Sequence, residues 1–347
     1  MIHCEESSIS AVCRTRKRFD LSGAYPEHAL YMGRKDKVHE IALQAGIPQP
    51  RSTYVSLSDG KTKEEILDLV TSAIPTFPLF RKPKMLMGLR GVGKVESEEE
   101  LNRWITERMA EGDQETYIFQ EFVSGTEFTI STVLLQDGSW VPLVIKHVAF
   151  GWSHHECIST GKPVVSIVEP FEEAQKENFP GMYDFARKVI ETFKPPHPQV
   201  FCFQGFQRTP GKDDYVLNEL AYRPAGERVN TLCYQACGVN QYTALILASI
   251  DPSYIPKPSH SSQRKLITGI WYPKREGTLL EHQEFPKRPN IKGTITGEWH
   301  VPIGTKMEKA RNMGHMVATM FLESASKGER NEDIKWISEN WTPVVKA

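Results

Sequence analysis

Residues 215–230, YVLNELAYRPAGERVN, decide how this chain is read. Tyr215, Val216 and Leu217 form a β-prone run, Glu219 follows on the same strand, and Arg223 stands just beyond its end. Hard divalent cations take carboxylate and phosphate oxygens, and the planar donor fork of arginine matches phosphoryl oxygens. The pair therefore suits magnesium and phosphate, with a structural ion pair at a strand end as the plainer alternative. Just upstream, VFCFQGF (200–206) is a second strand, and the turn TPGKDD (209–214) joins the two as a hairpin.

Further upstream, FPGMYDFARKVIETF (179–193) has the spacing of an amphipathic helix closed by prolines. YIFQEFVSGTEFTISTVLL (117–135) holds two β-rich runs split by a tight Ser-Gly-Thr connection, and DGSW (137–140) marks a hairpin turn. Glu121, Phe122 and Val123 lie between a strand and a turn, where backbone groups can face an adenine edge. Nearer the start, KVHEIALQAGIPQP (37–50) and KTKEEILDLVTSAIP (61–75) repeat apolar residues at helical spacing, and TFPLFRKP (76–83) switches to a short strand ending at Lys82. A lysine so placed reaches phosphate as a compact point charge, although most lysines are simply solvated.

The loop KMLMGLRGVGKV (84–95) follows that strand, and Ser97 then caps a helix whose first turn carries three glutamates. Gly88, Gly93 and Lys94 nearly spell a P-loop, but Val95 lacks the hydroxyl that would meet magnesium, and the helix starts too late for its free amides to cradle phosphate. A P-loop NTPase is disfavoured. A glycine loop that covers and releases phosphate fits better, with an ordinary hairpin turn as the alternative. In GWSHHECISTGKP (151–163), His154, His155 and Glu156 are candidates to meet an amino or carboxylate group of a substrate, or are ordinary surface residues.

At 347 residues the chain is long enough for two or three lobes with a cleft between them. Lys and Arg total 42 against 43 Asp and Glu, so no overall field gathers nucleic acid or an anionic membrane. The basic run at residues 14–18 reads as a solvated segment. Six scattered cysteines, without a C-x-x-C pair, read as reduced thiols. MIHCEESSIS lacks the apolar core of a signal peptide, so the expectation is a soluble cytoplasmic protein. The linker DPSYIPKPSHSS (251–262) suggests a domain boundary.

Taken in order, these segments resemble the ATP-grasp superfamily, nearest to its L-amino-acid ligase and carnosine synthase-like branch. RKDKVHEIALQAGIPQP, FPLFRKP, GLRGV, FQEFVSGTEF and NELAYRPAG match its successive elements. The resemblance implies an α+β fold whose two lobes hold ATP between them, followed by a ligase-like C-terminal region. Its expected divisions are a short N-terminal segment (1–30), the ATP-grasp domain (31–255, with a lid at about 62–122) and the C-terminal region (256–347). It implies ATP contacts from Lys37, Lys82, Gly91, Gln120, Glu121, Phe122 and Val123, and a ribose contact from Glu127. Glu219 and Gln204 would hold Mg2+ or Mn2+, and Arg223 would stabilise the reacting oxyanion. The implied reaction joins a small-molecule carboxylate, activated as an acyl phosphate, to an amine.

Departures from the family pattern are Leu89 for a serine in the glycine loop, Gln204 for a carboxylate, and Ala221 for an asparagine two residues after the metal-binding glutamate. The pre-grasp domain is also short, which leaves two expectations: a homodimer or partner chain completes the cleft, or the chain is a shortened product with impaired catalysis. The competing function is a nucleotide-binding regulatory or scaffold protein that keeps the fold with little or no turnover.

Overall fold

The computed structural model describes residues 2–32, 34–84, 91–226, 228–259 and 266–346. In chain order its helices are α1 Ile9–Arg18, α2 Pro26–Met32, α3 Lys35–Gln44, α4 Lys63–Ala73, α5 Glu98–Ala110, α6 His154–Thr160, α7 Phe171–Glu177, α8 Met182–Phe193, α9 Val229–Cys237, α10 Gln241–Ile250 and α11 Lys327–Asn340. Helix starts follow local chemistry. Thr62 and Glu65 form a reciprocal capping box on α4, and the Ser97 hydroxyl accepts from the Glu100 amide at the head of α5.

A small antiparallel sheet contains β1 Ser52–Ser56, β2 Leu79–Pro83, β3 Gly93–Val95 and β4 Thr116–Glu121, in spatial order β1-β4-β2-β3. Helices α4 and α5 close its core, in which Val55, Ile66, Val70, Leu101, Ile105 and Phe119 are buried together. No residue of this cluster comes from outside 55–119, so the small sheet buries a core of its own.

The larger sheet has eight strands: β5 Thr126–Leu134, β6 Trp140–Val148, β7 Val164–Pro170, β8 Gln199–Gln207, β9 Tyr215–Ala221, β10 Leu266–Pro273, β12 Thr294–Trp299 and β14 Met316–Ser324. Their order is β12-β14-β10-β7-β6-β5-β8-β9. The remaining strands, β11 Gly277–Leu279, β13 Lys306–Met307 and β15 Val345–Lys346, form a three-stranded sheet. Strand alternation gives the large sheet two working faces. Phe128, Ile130, Phe201, Phe203 and Leu217 pack on one side against α1, α3 and α8, while Val133, Val200 and Cys202 face α9 and α10 on the other.

Ser124 to Thr126 form the expected tight connection between β4 and β5, and they carry the chain from the small sheet to the large one. Gly125 makes the close passage possible: its φ is +139°, and a Cβ there would stand 2.2 Å from the Gln207 carbonyl oxygen. The division expected at residue 256 falls within a connection of one continuous sheet, because β10 pairs with β7. The first thirty residues are also built in, since Ile9, Cys13 and Ala24 share a core with Phe201 and Tyr222.

Candidate active site

Strand register assembles the floor of a cleft between the two sheets. Lys146 on β6 pairs with Thr129 on β5, Thr129 with Gln204 on β8, and Gln204 with Glu219 on β9. Directly opposed residues share a sheet face, so these four side chains stand in a row. They line a cavity of about 970 Å³ together with Glu6, Glu127, His154 and Arg223.

Cations surround the Glu219 end. Lys35, at the start of α3, places its Nζ 3.2 Å from the Glu219 carboxylate. Lys82 is 6% exposed and donates to the Asn218 side-chain oxygen at 3.2 Å. Burial strips water from its ammonium and pushes its pKa down to about 8; Glu219 opposes the shift and Lys35 adds to it. Arg223 donates to Glu6 Oε2 from Nε at 3.3 Å and from Nη2 at 3.2 Å. Burial raises the Glu6 pKa, Arg223 works against that rise, and the neighbouring Glu219 reinforces it.

A second, more apolar slot of about 540 Å³ opens beside this cavity and shares Glu127 with it. Phe80, Phe122, Val123 and Phe206 line it, with Gln120 and Asn218 as polar groups. An apolar lining with a small number of placed polar groups is the character of a small-molecule site. Lys94 lies over the Phe122 ring at 4.6 Å, and the Gln120 amide donates to Ser52 Oγ at 2.8 Å. Glu121 also lines the slot, and its carboxylate accepts from Arg51 at 2.8 Å and from Arg208 at 3.0 Å.

The structure brings Lys82, Gln120, Glu121, Phe122, Val123, Glu127, Gln204, Glu219 and Arg223 around this joined cleft. It does not bring Lys37 there: that side chain pairs with Glu40 at 2.5 Å and is 44% exposed. Lys35 occupies the corresponding inward position. Gly91 has a φ of +68°, and its carbonyl accepts from Arg81 at 3.0 Å, while Gly88 and Leu89 lie outside the described residues.

The three candidate substrate residues separate. Glu156 caps its own helix by accepting from the Ser153 amide at 3.0 Å. His155 lines the apolar slot edge-on to Phe80, and burial lowers its pKa. His154 engages both oxygens of Glu127, through its ring Nδ1 at 2.8 Å and its backbone amide at 2.9 Å, and its Nε2 lies 3.1 Å from Lys146. Burial pushes the Glu127 carboxyl up, but the His154 ring and amide outweigh it and hold the pKa below its ordinary value.

The donor set fits magnesium better than a transition metal. Gln204 and Glu219 are opposed across β8 and β9 and line the same cavity, and among the described residues no group of three His, Cys, Asp or Glu side chains forms a self-sufficient metal cage. Magnesium characteristically takes one or two carboxylates and completes its shell with phosphate and water.

Neither a protein-family model nor a curated protein matches this sequence. Solved structures do. An L-amino acid ligase from Bacillus licheniformis is 14% identical with a TM-score of 0.67, over 99% of this chain and 80% of that one. The N5-carboxyaminoimidazole synthase of Aspergillus clavatus, solved with ADP and 5-aminoimidazole ribonucleotide, is 15% identical with a TM-score of 0.63, over 94% and 78%. A biotin carboxylase domain from Hydrogenobacter thermophilus, solved with magnesium ADP, is 13% identical with a TM-score of 0.54, over 91% and 68%. The chain has the ATP-grasp fold. At these identities the likeness concerns the fold, and function is argued from the side chains.

Sequence reasoning missed Lys35, Asn218, Lys146 and Glu6 as cleft residues. Lys35 carried a signal, because it lies three residues before the buried Val38 and so shares its helix face. Glu6 carried none, since nothing local indicates that residue 6 meets residue 223.

Proposed function

We propose that the chain is an ATP-dependent carboxylate-amine ligase that forms an amide or peptide bond through an acyl phosphate, with amino-acid-like substrates. The observation that carries this reading is the joined cleft: an apolar slot leads to the Gln204–Glu219 pair, flanked by Lys35, Lys82 and Arg223. In this reading the slot takes adenine, the lysines hold the phosphates, and Glu219 with Gln204 holds magnesium. Bound there, magnesium would neutralise phosphate charge and orient the terminal phosphoryl group.

The side chains have separable tasks. Lys82 and Lys35 offset charge on the triphosphate while a substrate carboxylate oxygen attacks the γ-phosphorus and ADP departs. The amine then attacks the acyl carbon, phosphate leaves, and the nitrogen gives up its proton to form the amide. Arg223 stands at the end of β9, where its guanidinium can stabilise the tetrahedral oxyanion. Water must be kept out while the acyl phosphate exists, and the two sheets supply the walls.

The test is an ATP-consumption screen over pairs of amino acids. ADP and phosphate release that requires both a carboxylate and an amine supports the ligase. Tight ATP binding with no release for any pair would favour the nucleotide-binding scaffold. Hydrolysis that depends on Lys94 and not on Lys82 would instead indicate a different nucleotide site.

A further inference from the structure

We infer that Glu6, from the segment ahead of α1, supplies the second carboxylate of the metal site, where β8 offers only the neutral Gln204. This rests on the nucleotide and metal reading above.

Three observations carry it. First, Glu6 and Glu219 together line the main cavity and also a smaller adjoining one that contains Lys35 and Asn218. Second, the segment is fixed on both sides of Glu6. The 3%-exposed His3 donates from Nε2 to the Tyr222 carbonyl at 2.9 Å, and Ile9 and Cys13 are buried in the core beyond it. Glu6 is therefore a permanent wall of the cleft rather than a removable plug. Third, both hydrogen bonds from Arg223 fall on Oε2, so the contact does not use the two carboxylate oxygens as a bidentate clasp.

Charge explains why such a residue is needed. An amide oxygen ligates a hard cation without neutralising it, so a site with Glu219 and Gln204 is one negative charge poorer than a two-carboxylate site. Glu6 restores that charge from a different part of the chain. Glu219 and Glu6 stand near enough for their like charges to repel, which Lys35 and Arg223 offset in part and a divalent cation shared by the two carboxylates would offset further.

The probe is Mn2+ titrated into the full-length protein with ADP present, with free ion counted by electron paramagnetic resonance. Metal-free melting curves verify the folding of each variant. Glu6→Gln should weaken Mn2+ binding about tenfold or more, as loss of a coordinating-shell group does. Adding Gln204→Glu to that variant should recover most of the loss. Arg223→Met should leave Mn2+ affinity equal or tighter, because it removes a competing cation. If Glu6→Gln binds Mn2+ like wild type while Glu219→Gln does not, Glu6 is no ligand and the ligase reading survives. Equal losses in Glu6→Gln and Arg223→Met would reduce Glu6 to a positioning role for Arg223. If wild type binds ADP but no Mn2+, the metal-site reading itself fails.

Discussion

Two lysines in the cleft differ in what their environments ask of them. Lys82 is buried and its pKa is lowered from 10.5 to about 8, so between these values the unfolded chain holds a proton that the free folded protein lacks. Its contribution to stability is therefore least favourable below about pH 8 and improves as pH rises through that window. A bound triphosphate reverses the preference by favouring the ammonium. Nucleotide binding at pH 9 should thus take up protons, and affinity should fall as pH rises past about 8. Calorimetry in buffers of different ionisation enthalpy measures the uptake, which Lys82→Met should abolish; no uptake by wild type would remove Lys82 from the phosphate site. Lys35 supplies the complementary comparison. Lys35→Ala should cost about 1.5–3 kcal/mol of nucleotide affinity, the value of a charge-assisted hydrogen bond. Lys37→Ala should change affinity by less than about 0.5 kcal/mol, as an exposed substitution does. Equal effects of the two would mean that α3 presents a different face to the ligand.

At the scale of elements, what the sequence reveals depends on whether the deciding contact is local. Helix α4 is legible from its capping box and its buried Ile66 and Val70, and the β8–β9 hairpin from TPGKDD. The choice between Lys35 and Lys37 turns on helix phase: two residues are about 200° apart around a helix, so only one can face inward with Val38. The pairing of Glu127 with His154, and the entry of Glu6, are long-range facts without local periodicity. The same holds for α11. Its Lys327 and Arg330 each reach the 1%-exposed Glu169 of β7 at 3.2 Å, an attachment between residues 158 and 161 positions apart that no neighbouring sequence announces. Burial raises the Glu169 pKa, but His147, Arg330 and Lys327 outweigh it and hold the carboxyl far below its ordinary value. Its stabilising contribution is thus fully present above about pH 4.3, the unfolded value, and is lost as pH falls through the folded pKa. Glu169→Gln should destabilise the protein at pH 7 by about 3–5 kcal/mol, the cost of breaking a buried pair. Urea unfolding measures this, and a change below 1 kcal/mol would mean that α11 is held by its apolar face alone.

On the scale of the whole molecule, the separate core of the small sheet bears on how the proposed nucleotide would act. Val55, Ile66, Val70, Leu79, Leu101 and Phe119 are buried among residues of the small sheet and its helices, and the larger sheet has its own clusters on both faces. The two are linked at the Gly125 passage, by the Lys82–Asn218 hydrogen bond, by the Phe80–His155 ring contact and through the Glu121–Arg208 ion pair, whose partners are 19% and 40% exposed. These are few contacts beside the two separate apolar cores, so the sheets are held together by less than holds each of them. A ligand that touches Phe122 and Lys82 on one side and Glu219 on the other adds to that coupling, because it binds only when both walls are folded. Amide hydrogen exchange should therefore show β1, β2 and β4 opening at lower free energy than β5 and β8 in the free protein. At a hundredfold excess of Mg-ATP over its dissociation constant, ligand linkage supplies about 2.7 kcal/mol, and protection of the small sheet should rise by nearly that amount. The central strands of the large sheet should gain less. Exchange that is uniform across both sheets without nucleotide, and rises uniformly with it, would show one cooperative unit; in that case the cleft closes by adjustment within a rigid body rather than by joining two lobes of unequal stability.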